Sequence, residues 1–414
     1  MSQLLSVAEA QSRLLSAFTP LESEMVPLLE APGRVLAEAI IASFDYPSFD
    51  NSSMDGFAIR VADLDAASMD SGVTLDVVAD IPAGRFVDVK LGAGQAARIM
   101  TGAPLPAGAD AVVPVEDTDF NDRQPGLPAP ARVNIYRSLQ SGENVRPHGQ
   151  DIHTGERVLP AGLRLRPQDI GLLAMLGIGS VPVYRLPKVS VFSSGDELVA
   201  VGSPLSAGQI HDSNSYALIA QIEKYGGQAV NLGIVPDNLA AVKACLDRAV
   251  EAGVDLIISS AGVSVGAFDF VRHVVEQGGG LDFWRVNMRP GKPLAFGSYH
   301  GIPYVGLPGN PVSAFIGFEV FVRLAILKMT GDQDSRRSVQ RVRIAEPIES
   351  DGRESYLRAI VTQHAGEWSA RLTGHQGSGN LRSLVQANAL LLVPSGVKSL
   401  PIGSELDAWL LNNA

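Results

Sequence analysis

The stretch VDLIISSAGVSVGAFDF, residues 254–270, passes from a short apolar run through Ser, Gly and Ala to an acid, Asp269. The apolar run has the length of a buried strand, and small residues after a strand leave backbone N–H groups bare for an anion. Around it, strand-like and helix-like patterns alternate from Lys188 to about Gly331. The predicted strands are KVSVFS, AVNLGIV, VDLIIS, LDFWRVNM, PLAFGSY and IPYVGL. The predicted helices are NSYALIAQIEKYGG, NLAAVKACLDRAVEAG, FDFVRHVVEQGG and PVSAFIGFEVFVRLAILKMTG. Such alternation predicts a mainly parallel sheet covered by helices on both faces, with ligands bound beyond the carboxyl ends of its strands.

On either side the texture changes, and four blocks result. Residues 1–45 are helical in pattern, with Ser6 and Glu9 spaced as a capping box for the first helix and a second helix expected around APGRVLAEAIIA. Residues 46–146 are rich in Gly, Pro and Asp, with short runs such as VTLDVVADI and ADAVVPVE, and read as a small β domain. RPQDIGLLAMLGIG (166–179) then predicts a helix with Pro167 in its first turn and Gly177 near its stop. Residues 147–186 would thus rejoin the first block, which makes the β domain an insertion. The α/β block occupies 187–331, and 332–414 is β-like again, with RVRIAEPIE, SYLRAIV and NALLLVP.

A chain of 414 residues exceeds one ordinary core. Its 46% apolar and 19% charged residues describe a soluble globular protein, and no apolar run reaches the roughly 20 residues of a membrane helix. A net charge of −11 argues against nucleic acid as a partner. The single cysteine, Cys245, lies in an apolar helical pattern and reads as a buried, inert thiol in a reducing cytoplasm.

Chemistry-bearing residues gather in the loops after the strands of the α/β block. SGDELV brings Asp196 and Glu197, and HDSN brings Asp212. The opening stretch brings Ser260, Gly262, Ser264 and Asp269, while in LPGNP Asn310 would cap the helix that Pro311 begins. N–H donors and carboxylates on one sheet edge suit a hard cation such as Mg²⁺ bridging acids to a phosphate. Taken singly, each Asp, Asn or Ser also reads as an ordinary turn or cap residue. Positive charge comes from WRVNMRPGKP (284–293). As a strand, this would set Arg285, Asn287 and Arg289 on one face and Trp284, Val286 and Met288 on the other, with Lys292 in the turn. Other signals fail. GAGQAA (92–97) precedes no helix, no Walker loop or G-x-S-x-G elbow occurs, and the seven histidines lack zinc spacing.

At this level of detail the chain resembles the molybdopterin molybdenumtransferases, the MoeA family, whose animal relative is the E domain of gephyrin. The stretches that carry the resemblance run in order along nearly the whole chain: FDNSSMDGFAIR, RIMTGAPLPAGADAVVPVED, GENVRPHGQDI, SSGDELV, GQIHDSN, SSAGVSVGAFDF, RPGKPLAFG, GLPGNPVSA and TGHQGS. The resemblance implies a multidomain α/β protein: an adenylyltransferase-like central domain, an inserted β domain, a helical hinge and dimerisation domain, and a C-terminal β-barrel-like domain. It implies a cytoplasmic homodimer with the active site between subunits. The implied activity is the last step of molybdenum cofactor biosynthesis, in which adenylylated molybdopterin receives molybdate with Mg²⁺-dependent release of AMP. The implied partners extend to the molybdopterin adenylyltransferase and to molybdoenzyme maturation factors.

Carried over by motif, Asp55, Asp151, Glu197, Asp212 and Asp269 take catalytic roles, with Glu197, Asp212 and Asp269 on the Mg²⁺ side. Asp55, Thr101 and Asp151 would be offered to the partner subunit's cleft. The substrate side takes Thr101, Ser260, Gly262, Ser264, Arg285, Arg289, Lys292, Pro308 and Pro311, and Arg358, Ser378 and Ser383 fall to molybdate. Three features depart from the pattern: Ala261 for a common Gly, Ala267 for a frequent acid, and Arg285 and Arg289 for Lys. Two other readings stand beside this one, adenylylation of molybdopterin by the α/β block and a non-enzymatic dimeric scaffold.

Overall fold

The computed structural model describes residues 4–65, 67, 71–120, 127–260, 270–334 and 337–411, apart from the Trp284 side chain. The chain divides into two compact units, residues 39–160 and residues 1–38 with 161–414. Among the described residues no helix is long and apolar enough to cross a membrane.

In the larger unit the strand Leu256–Ser260 lies inside a six-stranded sheet, parallel to Lys188–Ser194 on one side and to Ile302–Leu307 on the other. Gln228–Val235 adds a further parallel strand, while Pro293–Tyr299 and Gly279–Arg285 complete the sheet antiparallel to their neighbours. Alternation along the strands builds two cores. Val189, Val191, Leu256, Ile258 and Val305 face one side, where Val7, Ala10 and Leu14 of the helix Val7–Ser16 pack with Ile316 and Ile326. Phe192, Ile257 and Tyr304 face the other, against Val242, Cys245 and Leu246 of the helix Leu239–Glu251. Cys245 is buried, and burial pushes its thiol up, as an inert core cysteine requires.

The third apolar face belongs to the C-terminal residues. Glu354–His364, Glu367–Leu372, Val339–Ile344, Glu405–Leu410 and Ala389–Val393 pair in that order, and Ala389–Val393 closes back on Glu354–His364. Leu357, Ala359, Val361, Ala370 and Leu391 fill the closed sheet. Closure leaves these strands no open edge.

Two local expectations change. The segment 31–42 forms no helix: Pro32–Gly33 turn the chain, Val35 and Leu36 bridge to Arg164 and Val183, and Ile40–Ile41 pairs with Arg157–Leu159. The β-branched residues at 35, 40 and 41 suit that extended course. At the N-terminus Ser6 Oγ accepts from the Glu9 N–H at 3.2 Å, but the Glu9 carboxylate turns to Arg13 at 3.0 Å and leaves the box half made.

The smaller unit is built on a five-stranded sheet, with Gly56–Ile59 between Gln95–Ile99 and Ala111–Pro114. GAGQAA runs into the strand Gln95–Ile99, which accords with its rejection as a nucleotide loop. Gly56 sits where a Cβ would lie 1.9 Å from the Val113 carbonyl oxygen. Gly56→Ala is therefore expected to destabilise the protein by roughly 2–3 kcal/mol, read from its urea midpoint, because backbone rather than a side chain must move.

Candidate functional site

The parallel strands end at Ser194, Ser260 and Leu307, and the loops beyond them enclose a cavity of about 620 Å³. Its lining includes Glu197, Asp212, Asn214, Ser260, Pro308 and Pro311, and Gly379 enters from the C-terminal block. Gly195, at φ +152°, turns the first of these loops, and a side chain there would run into the Glu197 carboxylate. Pro311 opens the helix Pro311–Gly317, but the Asn310 side chain makes no capping bond.

Asp212 is buried, and its Oδ1 accepts from Ser193 Oγ at 3.0 Å and from the N–H groups of Asn214 and Ser215, both at 3.1 Å. That oxygen caps the helix Asn214–Lys224. Asn214, which the motif reading passed over, ties two loops together. Its Nδ2 donates to Ser260 Oγ at 2.7 Å and to the Gly309 carbonyl at 2.8 Å.

A group of acids lies beside this cavity. Asp196 Oδ1 accepts the Asp237 N–H at 3.1 Å, and burial, then the neighbouring charges of Asp196 and Glu197, push the Asp237 carboxyl up. A carboxyl raised in the fold holds its proton more tightly there than in the unfolded chain, so its charge costs stability above the folded pKa and the cost fades in acid. Asp237→Asn is expected to raise the thermal midpoint at pH 7, with the gain shrinking as pH falls toward about 4, the unfolded carboxylate range.

Among the described residues no three His, Cys, Asp or Glu side chains gather to hold a metal ion. Glu197 and Asp212 share the cavity, while Asp269, Gly262 and Ser264, together with Ala261 and Ala267, lie outside the described residues.

The cations separate. Gly279–Arg285 ends the large sheet, and Met288–Arg289 pairs instead with the start of Glu354–His364 in the closed sheet. Val286 and Met288 are fully buried and Arg285 is exposed, so the two-residue alternation survives the break between sheets. Arg285 lines a different cavity, with Glu9, Arg13, Arg272 and Asp282. Lys292 is exposed and lines neither. Arg289 reaches Asp351 at 3.9 Å, and Arg353 holds the Asp351 carboxyl down, to about 2.

Arg358 is fully buried on the outer face of the closed sheet, opposite to Leu357 and Ala359, where residues 375–383 cover it. Its Nε donates to Ser383 Oγ at 3.0 Å and its Nη2 to the Gly377 carbonyl at 2.9 Å, and its own N–H meets Gln376 Oε1 at 2.9 Å. No carboxylate among the described residues pairs with it. Burial pushes its guanidinium down to about 10, and the second influence is another cation, Arg289. A buried guanidinium held by hydroxyl and carbonyl groups, with no counter-charge, is a place for an anion. Ser378 carries this site toward the cavity, because its carbonyl accepts the Val312 N–H at 3.0 Å and Gly379 lines the cavity wall.

The remaining candidates belong to the smaller unit. Thr101 donates to Asp55 Oδ1 twice, from its N–H at 2.7 Å and its hydroxyl at 2.8 Å. Asp151 is exposed, and its N–H meets the Tyr46 carbonyl at 3.0 Å.

Comparison with known proteins covers the whole length. The model of the MoeA N-terminal region (domain I and II) matches residues 5–177. The probable molybdopterin binding domain matches 190–328, and the MoeA C-terminal region (domain IV) matches 341–411. Molybdopterin molybdenumtransferase 2 of Mycobacterium tuberculosis is 39% identical over 412 residues, which is 98% of this chain and 99% of that one. The molybdopterin molybdenumtransferase of a Nostoc species is 38% identical, covering 93% of this chain and 88% of its own. Among solved structures, a molybdopterin biosynthesis MoeA protein of Pyrococcus horikoshii superposes with a TM-score of 0.84 at 32% identity over 100% of both chains.

Proposed function

The chain belongs to the MoeA family, and on that premise we propose that it is a molybdopterin molybdenumtransferase of molybdenum cofactor biosynthesis. It takes adenylylated molybdopterin, places molybdenum from molybdate on the dithiolene sulfurs and releases AMP. The observation that carries the reading is the joining of two unlike sites by residues 375–380. One is the polar cavity at the strand ends, and the other is the buried Arg358, charged and without a carboxylate. Molybdate is a tetrahedral dianion; Arg358 would offer it a cation and Ser378 a hydroxyl, while Ser383, whose Oγ accepts from Arg358 and donates to the Asn380 carbonyl, holds the guanidinium in place.

The cavity wall of Ser260, Pro308 and Pro311 would take the substrate's ring and phosphates. Cleavage of a phosphoanhydride asks for charge neutralisation and positioning more than for a covalent nucleophile. Mg²⁺ would supply the neutralisation, held by Glu197 and Asp269. Asp212 fits that role least, since three donors already converge on its Oδ1 and repel a cation there. Arg289 stands next to Arg358 and adds to the field that draws in an oxyanion. The proposal includes a homodimer in which Asp55, Thr101 and Asp151 serve the partner subunit.

The test is reconstitution. Purified protein with adenylylated molybdopterin, molybdate and Mg²⁺ is expected to restore activity to a molybdoenzyme prepared without its cofactor. Recovery no greater than in the absence of this protein would sink the proposal.

A further inference from the structure

The floor of the cavity is a contiguous set of three polar side chains whose hydrogen-bond roles are fixed by their neighbours. The Gly309 carbonyl can only accept, so the Asn214 amide must turn its nitrogen toward it, and both N–H groups of that nitrogen are then used, on Gly309 and on Ser260 Oγ. Asn214 Oδ1 is left as an acceptor on the cavity. Ser260 Oγ takes a proton from Asn214, which leaves its own O–H to donate. Asp212 meets the Asn214 N–H and its other local donors through Oδ1 alone, which leaves Oδ2 as a second acceptor. Among the described residues Asn214 Oδ1 and Asp212 Oδ2 take no donor, and both belong to residues that line the cavity.

From this arrangement we infer that Asp212, Asn214 and Ser260 read the amino–oxo-pyrimidine edge of the substrate's bicyclic ring. That edge carries an amino group and a ring N–H as adjacent donors and a carbonyl as acceptor. The two oxygens match the donors and the serine hydroxyl matches the carbonyl. An adenine edge, with one amino donor beside a bare ring nitrogen, satisfies only part of the set. The inference rests on the proposed substrate and gives Asp212 a binding role in place of a metal-side one. Asn214 acts both as a reader and, through the two loops it clamps, as a positioning residue.

The decisive variant is Asp212→Asn. Its side-chain oxygen can keep the bonds from Ser193, Asn214 and Ser215, while the group facing the cavity changes from an acceptor to a donor. Fluorescence titration with pterin and calorimetric titration with AMP, each on the intact protein, separate the two ends of the substrate. Asp212→Asn is expected to weaken pterin binding by roughly 100-fold, the scale of a reversed polar contact in a binding site, with AMP binding unchanged. Asn214→Ala is expected to weaken pterin binding as well. Unchanged pterin affinity in Asp212→Asn, or a loss confined to AMP and its Mg²⁺ dependence, would overturn the inference. The transferase reading is judged separately, by molybdate-dependent AMP release in the unmodified protein.

Discussion

Arg358→Met is expected to lower molybdate-dependent turnover by roughly 100- to 1,000-fold, the cost of removing a preorganised charge from a closed site. Methionine fills much of the same space and keeps residues 375–383 packed on the outer face of the closed sheet, but it cannot hold a dianion. The fold itself argues that this charge is kept for function. Burial holds the Arg358 guanidinium down, to about 10. For a cation whose folded pKa lies below its unfolded one, the folded state binds the proton less tightly. The cost to stability is therefore fully present below about 10 and fades only as pH rises from there toward the ordinary guanidinium range above 12. At neutral pH the protein carries that cost, and a bound oxyanion would offset it. Molybdate at 100 times its dissociation constant is accordingly expected to stabilise the unmodified protein by about 2.7 kcal/mol and Arg358→Met not at all. Equal thermal shifts in the two proteins would place the anion elsewhere.

Glu319→Ala is expected to lower stability by about 3–5 kcal/mol, the range for breaking a buried ion pair on one side. Glu319 is 3% exposed, in the π-helical turn Phe318–Val322 within the long helix that begins at Pro311. Its carboxylate takes Gln221 Nε2 at 2.8 Å, Tyr225 Oη at 3.0 Å and the Arg337 guanidinium. Burial, then the adjacent carboxylate, pushes the Tyr225 phenol up to about 12, so it remains a donor throughout the neutral range. Arg323, also buried, has its guanidinium pushed down by burial and then by Arg337. Without Glu319 the two guanidinium groups face each other with their shared counter-charge gone. Urea unfolding checks this, and a loss below about 1 kcal/mol, the size of an exposed pair, would contradict it.

What was legible in the sequence was whatever local pattern controls. PLAFGSY and IPYVGL appear as the strands Pro293–Tyr299 and Ile302–Leu307, and VTLDVVADI as Val73–Ile81, because turn residues bound them closely. The strand ends gathered Glu197, Asp212, Ser260, Pro308 and Pro311 around one cavity, as a parallel sheet dictates. What was hidden depends on distant partners. Ala, Leu and Glu give 31–42 a helical rhythm, yet its partners at 164, 183 and 157–159 draw it into extended pairing. WRVNMR alternates as one strand, and only the pairing of Arg289 with Ser355 shows that it crosses between sheets. Asn214 looks like an ordinary helix-start residue until its bonds to Ser260 and Gly309 are seen. In SYLRA nothing announces that Arg358 meets only hydroxyl and carbonyl groups and no carboxylate among the described residues, because those partners lie 17 to 25 residues away.

In the proposed reaction the strand-end cavity and the Arg358 site work together. AMP release from adenylylated molybdopterin by the purified protein with Mg²⁺, followed with and without molybdate, decides whether they do. The unmodified protein is expected to release AMP faster with molybdate, and Arg358→Met is expected to lose that stimulation. Release indifferent to molybdate, or no release from bound substrate, would contradict the proposed reaction.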